Sequence, residues 1–181
     1  MKSQMYQKIE NSTCQVASKK TISNFALKDE NNLLELIQIA FNITHELRVK
    51  AFWNLDLVCE KKLKQFIPYL EEFCEILPKI KDDSALRSAT RIAYQIAKSN
   101  HRKNGISLTQ EQEHNMIEAL IDRLIQDEKV AAKVYAMKAL FVLGKKYDWV
   151  HNELKTIIVQ DAFNHSAAYK ACARNILKKI N

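Results

Sequence analysis

Four segments of the chain align with one another without internal gaps, and this self-similarity limits the fold more than any other feature of the sequence. They are Leu47-Arg48-Val49-Lys50-Ala51 running to Leu55, Leu86-Arg87-Ser88-Ala89-Thr90 running to Tyr94, Ala132-Lys133-Val134-Tyr135-Ala136 running to Leu140, and Tyr169-Lys170-Ala171-Cys172-Ala173 running to Leu177. Each has a cation, a small residue three positions later and a larger apolar residue four beyond that. The cations stand 39, 46 and 37 residues apart, and the long middle interval holds the polar insertion His101-Arg102-Lys103-Asn104-Gly105. A period of this length marks a stack of similar units, because one unit cannot bury its apolar face alone.

Partner helices fill the intervals. Apolar residues recur at helical spacing in Leu33-Leu36-Ile37-Ala40, Phe66-Leu70-Phe73-Leu77, Met116-Ile117-Leu120-Leu124 and Val150-Leu154-Ile157-Ile158. Thr109 with Gln112 predicts a capping box, Asp148 a cap, and Pro68 a first-turn proline of the second partner helix. Thr44, Asp83 and Ser166, each seven residues before a small anchor, are expected to accept from the free N–H groups of the next helix. Lys129 occupies that place in the third unit, so Asp127 or Glu128 is expected to cap there. The segments around Arg48 and Lys133 are apolar on two sides and must be covered twice, which a pile of helical hairpins achieves.

The order apolar, Arg or Lys, two residues, Ala, three residues, Leu resembles the second helix of HEAT repeats over roughly residues 31–180. The chain is similar to small bacterial HEAT-like proteins of mostly uncharacterised role, particularly in Asp127 to Lys146 and His165 to Lys179. The resemblance implies an all-α fold: a right-handed α–α superhelix of about four HEAT-like hairpins, with the second helices lining a concave face. Residues 1–28 lack the motif and are expected to be an arm or a capping helix, leaving 29–181 as the solenoid domain.

With two Gly and two Pro in 181 residues, a turn-rich β protein is excluded, and 47% hydrophobic against 27% charged residues supports one packed domain. Gly105 and Gly144 are too far apart to build a phosphate loop, a dinucleotide turn or a nucleophile elbow. They equally lack the Gly-Ser signature loop of long-helix lyases. The five histidines form no metal-ligand pattern, and no cofactor or metal is expected. Cys14, Cys59, Cys74 and Cys172 have no CxxC spacing and read as reduced core residues. No stretch resembles a signal peptide or a membrane span, so the expected location is cytoplasmic, with no membrane partner.

Charge is segregated along the chain. Ser84 to Gly105 and Lys129 to Tyr147 each hold five cations and no acid, and Ala162 to Asn181 holds four and none. Ser107 to Glu128 nets −5, Asp29 to Ile43 −3 and Asp148 to Asp161 −2. One helix set is therefore basic and the other acidic. On a concave face Arg87, Arg91 and Lys98 would form one stripe and Lys170, Arg174 and Lys178 another, with Lys133 between them. These seven are the candidate binding residues. Arg48, Arg87, Lys133 and Lys170 are alternatively rungs of a structural ladder with loop acids such as Asp83 and Asp127, and Lys138 and Lys145 fall on a different side of their helix from Lys133. The leading expectation is a non-enzymatic scaffold that binds another protein or an acidic peptide segment; the alternative is a nucleic-acid-binding solenoid. Trp53, Asp56 and Arg91 loosely resemble the aromatic, acid and arginine set of HEAT-like DNA alkylation glycosylases, but the chain is short for that family and Trp53, among Phe52, Leu55 and Leu57, reads as a core residue.

Overall fold

A computed structural model of the chain describes residues 2–161 and 165–180, and among them every regular element is helical. The order is α1 (Gln4–Glu10), α2 (Val16–Ala26), α3 (Glu30–Phe41), α4 (Arg48–Lys62), α5 (Leu70–Ile76), α6 (Asp83–Asn100), α7 (Gln110–Ile125), α8 (Val130–Leu143), α9 (Asp148–Asp161) and α10 (Ala167–Ile180). Contacts run α2–α4–α6–α8–α10 through one layer and α1–α3–α5–α7–α9 through the other. The two layers are joined by α1 on α2, α3 on α4, α7 on α8 and α9 on α10. None of the described helices is long and apolar enough to cross a membrane.

The small anchors of the repeat make the close packing of the even layer possible. Ala51, Thr90 and Ala136 are fully buried and Ala173 nearly so. Thr90 carries its hydroxyl into the core by donating it to the carbonyls of Leu86 and Arg87 in its own helix, at 2.9 and 3.2 Å. Helix α8 shows why coverage on two sides is needed: it packs on α6, α7, α9 and α10 and buries Ala132, Met137, Ala139 and Leu140 as well as Ala136.

Residues 1–28 contribute α1 and α2, and α2 lies on α4 as α4 lies on α6. Polar ties hold this hairpin in place: Lys61 Nζ donates to Ser23 Oγ and Asn24 Oδ1 (3.0 and 2.7 Å), and buried Asn54 donates to Ser12 Oγ (3.2 Å).

Helix starts follow the sequence signals unevenly. Thr109 and Gln112 form the capping box, and Ser166 Oγ accepts from the Tyr169 N–H at 3.5 Å. Thr44 lies upstream of α4, which begins after Leu47, and Asp83 is already inside α6. Lys129 precedes α8 without a side-chain cap, and Glu128 is turned instead to Arg123. The second partner helix is broken: Pro68 sits in a 3-10 segment, Leu63–Tyr69, because it has no N–H to donate and its ring crowds the carbonyl four residues back.

Two buried charges staple the units. Arg123 donates to Glu128 (2.9 Å), Gln126 (3.3 Å) and the carbonyls of Leu77 and Pro78 (3.3 and 2.6 Å), satisfying acceptors left over beyond the end of α5. Glu113, 2% exposed, accepts from Asn100 and Lys146 (2.7 and 2.6 Å) and from the Tyr147 hydroxyl, joining the end of α6 to the α8–α9 turn. Both glycines are required by close approach. A Cβ on Gly105 would stand 1.6 Å from the Ser99 carbonyl oxygen, and one on Gly144 2.1 Å from the His151 ring.

Two tests follow from this geometry. Gly105→Ala meets backbone, which cannot turn aside, and should lose about 3 kcal/mol or more in urea unfolding, whereas Gly144→Ala meets a side chain and should lose about 1–3 kcal/mol. Burial pushes the Glu113 carboxyl up, but its hydrogen bonds from Lys146, Tyr147 and Asn100 outweigh this and hold it below its ordinary value of 4.5. Its contribution is therefore present above pH 4.5 and lost as pH falls through the lowered folded value. Glu113→Gln should cost about 1–3 kcal/mol at pH 7 and make stability less steep in pH below 4.5; an unchanged acid limb would contradict this.

Candidate functional site

Helix α6 presents a stripe to solvent on the even layer: Ser84, Arg87, Arg91, Tyr94, Lys98 and, just past its end, His101, spaced three or four apart. Its first half borders one cavity and its second half another.

The first cavity, about 290 Å³, is lined by Cys14, Lys19, Trp53, Asp56, Ser84, Arg87, Ser88, Arg91 and Tyr135. Arg91 Nη1 donates to Asp56 at 2.7 Å and Nη2 pairs with Glu60 at 3.0 Å, while Gln95 donates to the other Asp56 oxygen at 2.9 Å. Arg91 is thus largely neutralised by its own neighbours. Burial pushes the Asp56 carboxyl up, against the hydrogen bond and charge of Arg91. Trp53 is half-buried and forms a cavity wall beside Asp56 and Arg91 instead of joining the core. Phe52 turns inward and is fully buried, and Trp53, one helical step round, faces the cavity.

The second cavity, about 590 Å³, lies where α6, α8 and α10 meet. Its apolar floor includes Val134, Phe141, Val142 and Ile176, and its cations are Lys98, Arg102, Lys138, Lys145 and Lys179. No acid occurs among the described residues that line it. The lysines stand over aromatic rings: Lys98 5.4 Å from Tyr94, Lys138 5.4 Å from Tyr135 and 6.0 Å from Tyr94, Lys145 5.6 Å and Lys179 5.9 Å from Phe141. Tyr94 and Tyr135, 6.4 Å apart between ring centroids, separate the two cavities, so aromatic and cationic groups continue from one to the other.

Of the sequence candidates, Arg87, Arg91 and Lys98 lie on this stripe. Lys133 does not: it is 3% exposed and pairs with Asp161 at 3.6 Å. Lys170, Arg174 and Lys178 are exposed but line neither cavity; α10 instead offers Ala168, Ala171, Cys172, Asn175 and Lys179. The ladder exists for two rungs with other acids than expected, Arg48 bonding Asp82 and Lys133 bonding Asp161. Lys19, Arg102, Lys138, Lys145 and Lys179 were outside the candidate set. Lys138 and Lys145 carried a signal, an aromatic residue three or four positions earlier in Tyr135 and Phe141, whereas Lys19, Arg102 and Lys179 carried none of this kind. Cys59 and Cys74 are buried, and burial pushes both thiols up, Cys74 to about 12, so they stay protonated. Cys14 is exposed, contrary to the core reading, because the α1–α2 turn lies at the surface.

The chain matches no family model. Nor does it match any curated protein or solved structure with which it was compared.

Asp56 has the opposite pH behaviour to Glu113. With its folded pKa raised above the ordinary 3.8, the fold favours the protonated form, and that advantage is lost as pH rises through the folded value. Asp56→Asn should therefore be as stable as the native chain or more stable at pH 7, the difference narrowing as pH falls toward 3.8 in parallel urea titrations. A destabilised variant at pH 7 would show that the Arg91 pair outweighs the burial cost.

Proposed function

We propose that the chain is a HEAT-like solenoid module that binds nucleic acid across the exposed face of its even layer. The layered adjacency of hairpins and the buried small anchors support the solenoid reading, with the right-handed coil implied by the resemblance to HEAT repeats. The observation that carries the binding reading is the run Tyr135, Tyr94 and Phe141, each attended by lysine, from one cavity to the next, the second one lined by five cations and no acid among the described residues. Cations in such an array gain affinity for phosphates by releasing condensed counterions and need no base-specific contact, while aromatic rings give a surface on which bases stack. An acidic protein segment would meet the charge but not the rings.

A second reading has its own observation. Trp53, Asp56 and Arg91, the set that loosely resembles HEAT-like alkylation glycosylases, line one cavity of the same face. Release of a methylated purine from alkylated duplex DNA, abolished in Asp56→Asn, would favour it; intact DNA after prolonged incubation would remove it.

Binding of a labelled random-sequence oligonucleotide tests the main reading. Affinity should fall with salt with a log–log slope of about −3 to −6, the range for several phosphate contacts. The double variant Lys98→Glu/Lys138→Glu should weaken binding at least tenfold. Lys133→Met, whose ammonium is committed to Asp161, should leave binding unchanged while altering stability. Absence of binding at low salt, or equal loss with Lys133→Met, would overturn the proposal.

A further inference from the structure

The second cavity is built for more than charge. Phosphates alone would be met by exposed lysines such as Lys170 and Lys178. Here the cations surround a recess whose floor is apolar and whose volume, about 590 Å³, lies within the range of pockets that enclose drug-sized ligands. Phe141 is held in position by His151, which stacks on it at 5.5 Å and is itself hydrogen-bonded to the Phe141 carbonyl at 2.9 Å. The lysines near Phe141, Tyr94 and Tyr135 occupy ring faces and have no ion-pair partner among the described residues.

We infer that this cavity receives an unstacked base of a single-stranded nucleic acid, with Lys98, Lys138, Lys145 and Lys179 turning from the rings to the flanking phosphates. The inference rests on the nucleic-acid reading above and specifies its substrate class. A base entering over Phe141 replaces the lysine–ring contact by stacking, and the phosphate on either side takes up the displaced ammonium, so one polymer supplies both groups the cavity lacks. A duplex offers the phosphates, but its bases are already paired and stacked and cannot reach the floor without being extruded. An acidic peptide neutralises the lysines and leaves the ring faces without a planar partner.

Anisotropy titrations with three probes of matched charge, a mixed-sequence single strand, its duplex and polyglutamate, at one salt concentration, decide the matter. The single strand should bind about tenfold more tightly than either of the others. Phe141→Leu, which keeps an apolar side chain but removes the ring, should weaken single-strand binding about five- to tenfold and leave the duplex and polyglutamate unaffected. Tyr94→Leu, on the neighbouring helix, should act in the same direction, which guards against a misfolded Phe141 variant. Duplex binding as tight as the single strand, polyglutamate binding as tight as either, or a uniform loss of all three in the folded variants would overturn this inference and leave the parent reading standing for the first case. Failure of all three probes to bind at low salt would remove both.

Discussion

Close approach of the even-numbered helices is the constraint on which the other features depend. Those helices carry buried small residues, Ala51, Thr90, Ala136 and Ala173, and a helix packed from two flanks has only a narrow strip left for solvent. The strip decides which cations are free. On α8, Lys133 and Lys138 are five positions apart, more than a third of a turn round the helix, so packing that puts Lys133 inside puts Lys138 at the surface. The candidate binding residues are in this sense what remains after the packed layer has taken the side chains it needs.

The all-helical class and most helix positions were legible because apolar periodicity is a local property. The Thr109 capping box was legible for the same reason. Which side of each helix faces the next unit is not local: it depends on the angle at which α10 meets α8, and this is why Arg87, Arg91 and Lys98 were placed on the exposed stripe while Lys133, Lys170, Arg174 and Lys178 were not found at the cavities. The partners of the ladder cations were similarly out of reach. Asp82 and Asp161 are neighbours of Arg48 and Lys133 only through the stacking of units. Trp53 was misread because apolar neighbours in sequence are shared by residues on opposite sides of a helix.

Three buried or half-buried charges show how differently the fold treats ionised groups. Arg123 and Glu113 are each surrounded by several partners and join segments distant in sequence. Neither was visible as special in the sequence, where Glu113 is one acid among several in an acidic helix. Asp56 is held by Arg91 and Gln95, yet burial still pushes its carboxyl up, and it lines the first cavity beside Trp53.

The separation of charge between the layers has a consequence for how the molecule meets a partner. The helices of the even layer are drawn from segments rich in lysine and arginine, and α3, α5, α7 and α9 of the odd layer from segments with an excess of aspartate and glutamate. The molecule therefore carries a permanent electric dipole across its thickness. In the field of any extended polyanion it experiences a torque before it makes contact, and arrives already turned with its lysine-bearing side foremost.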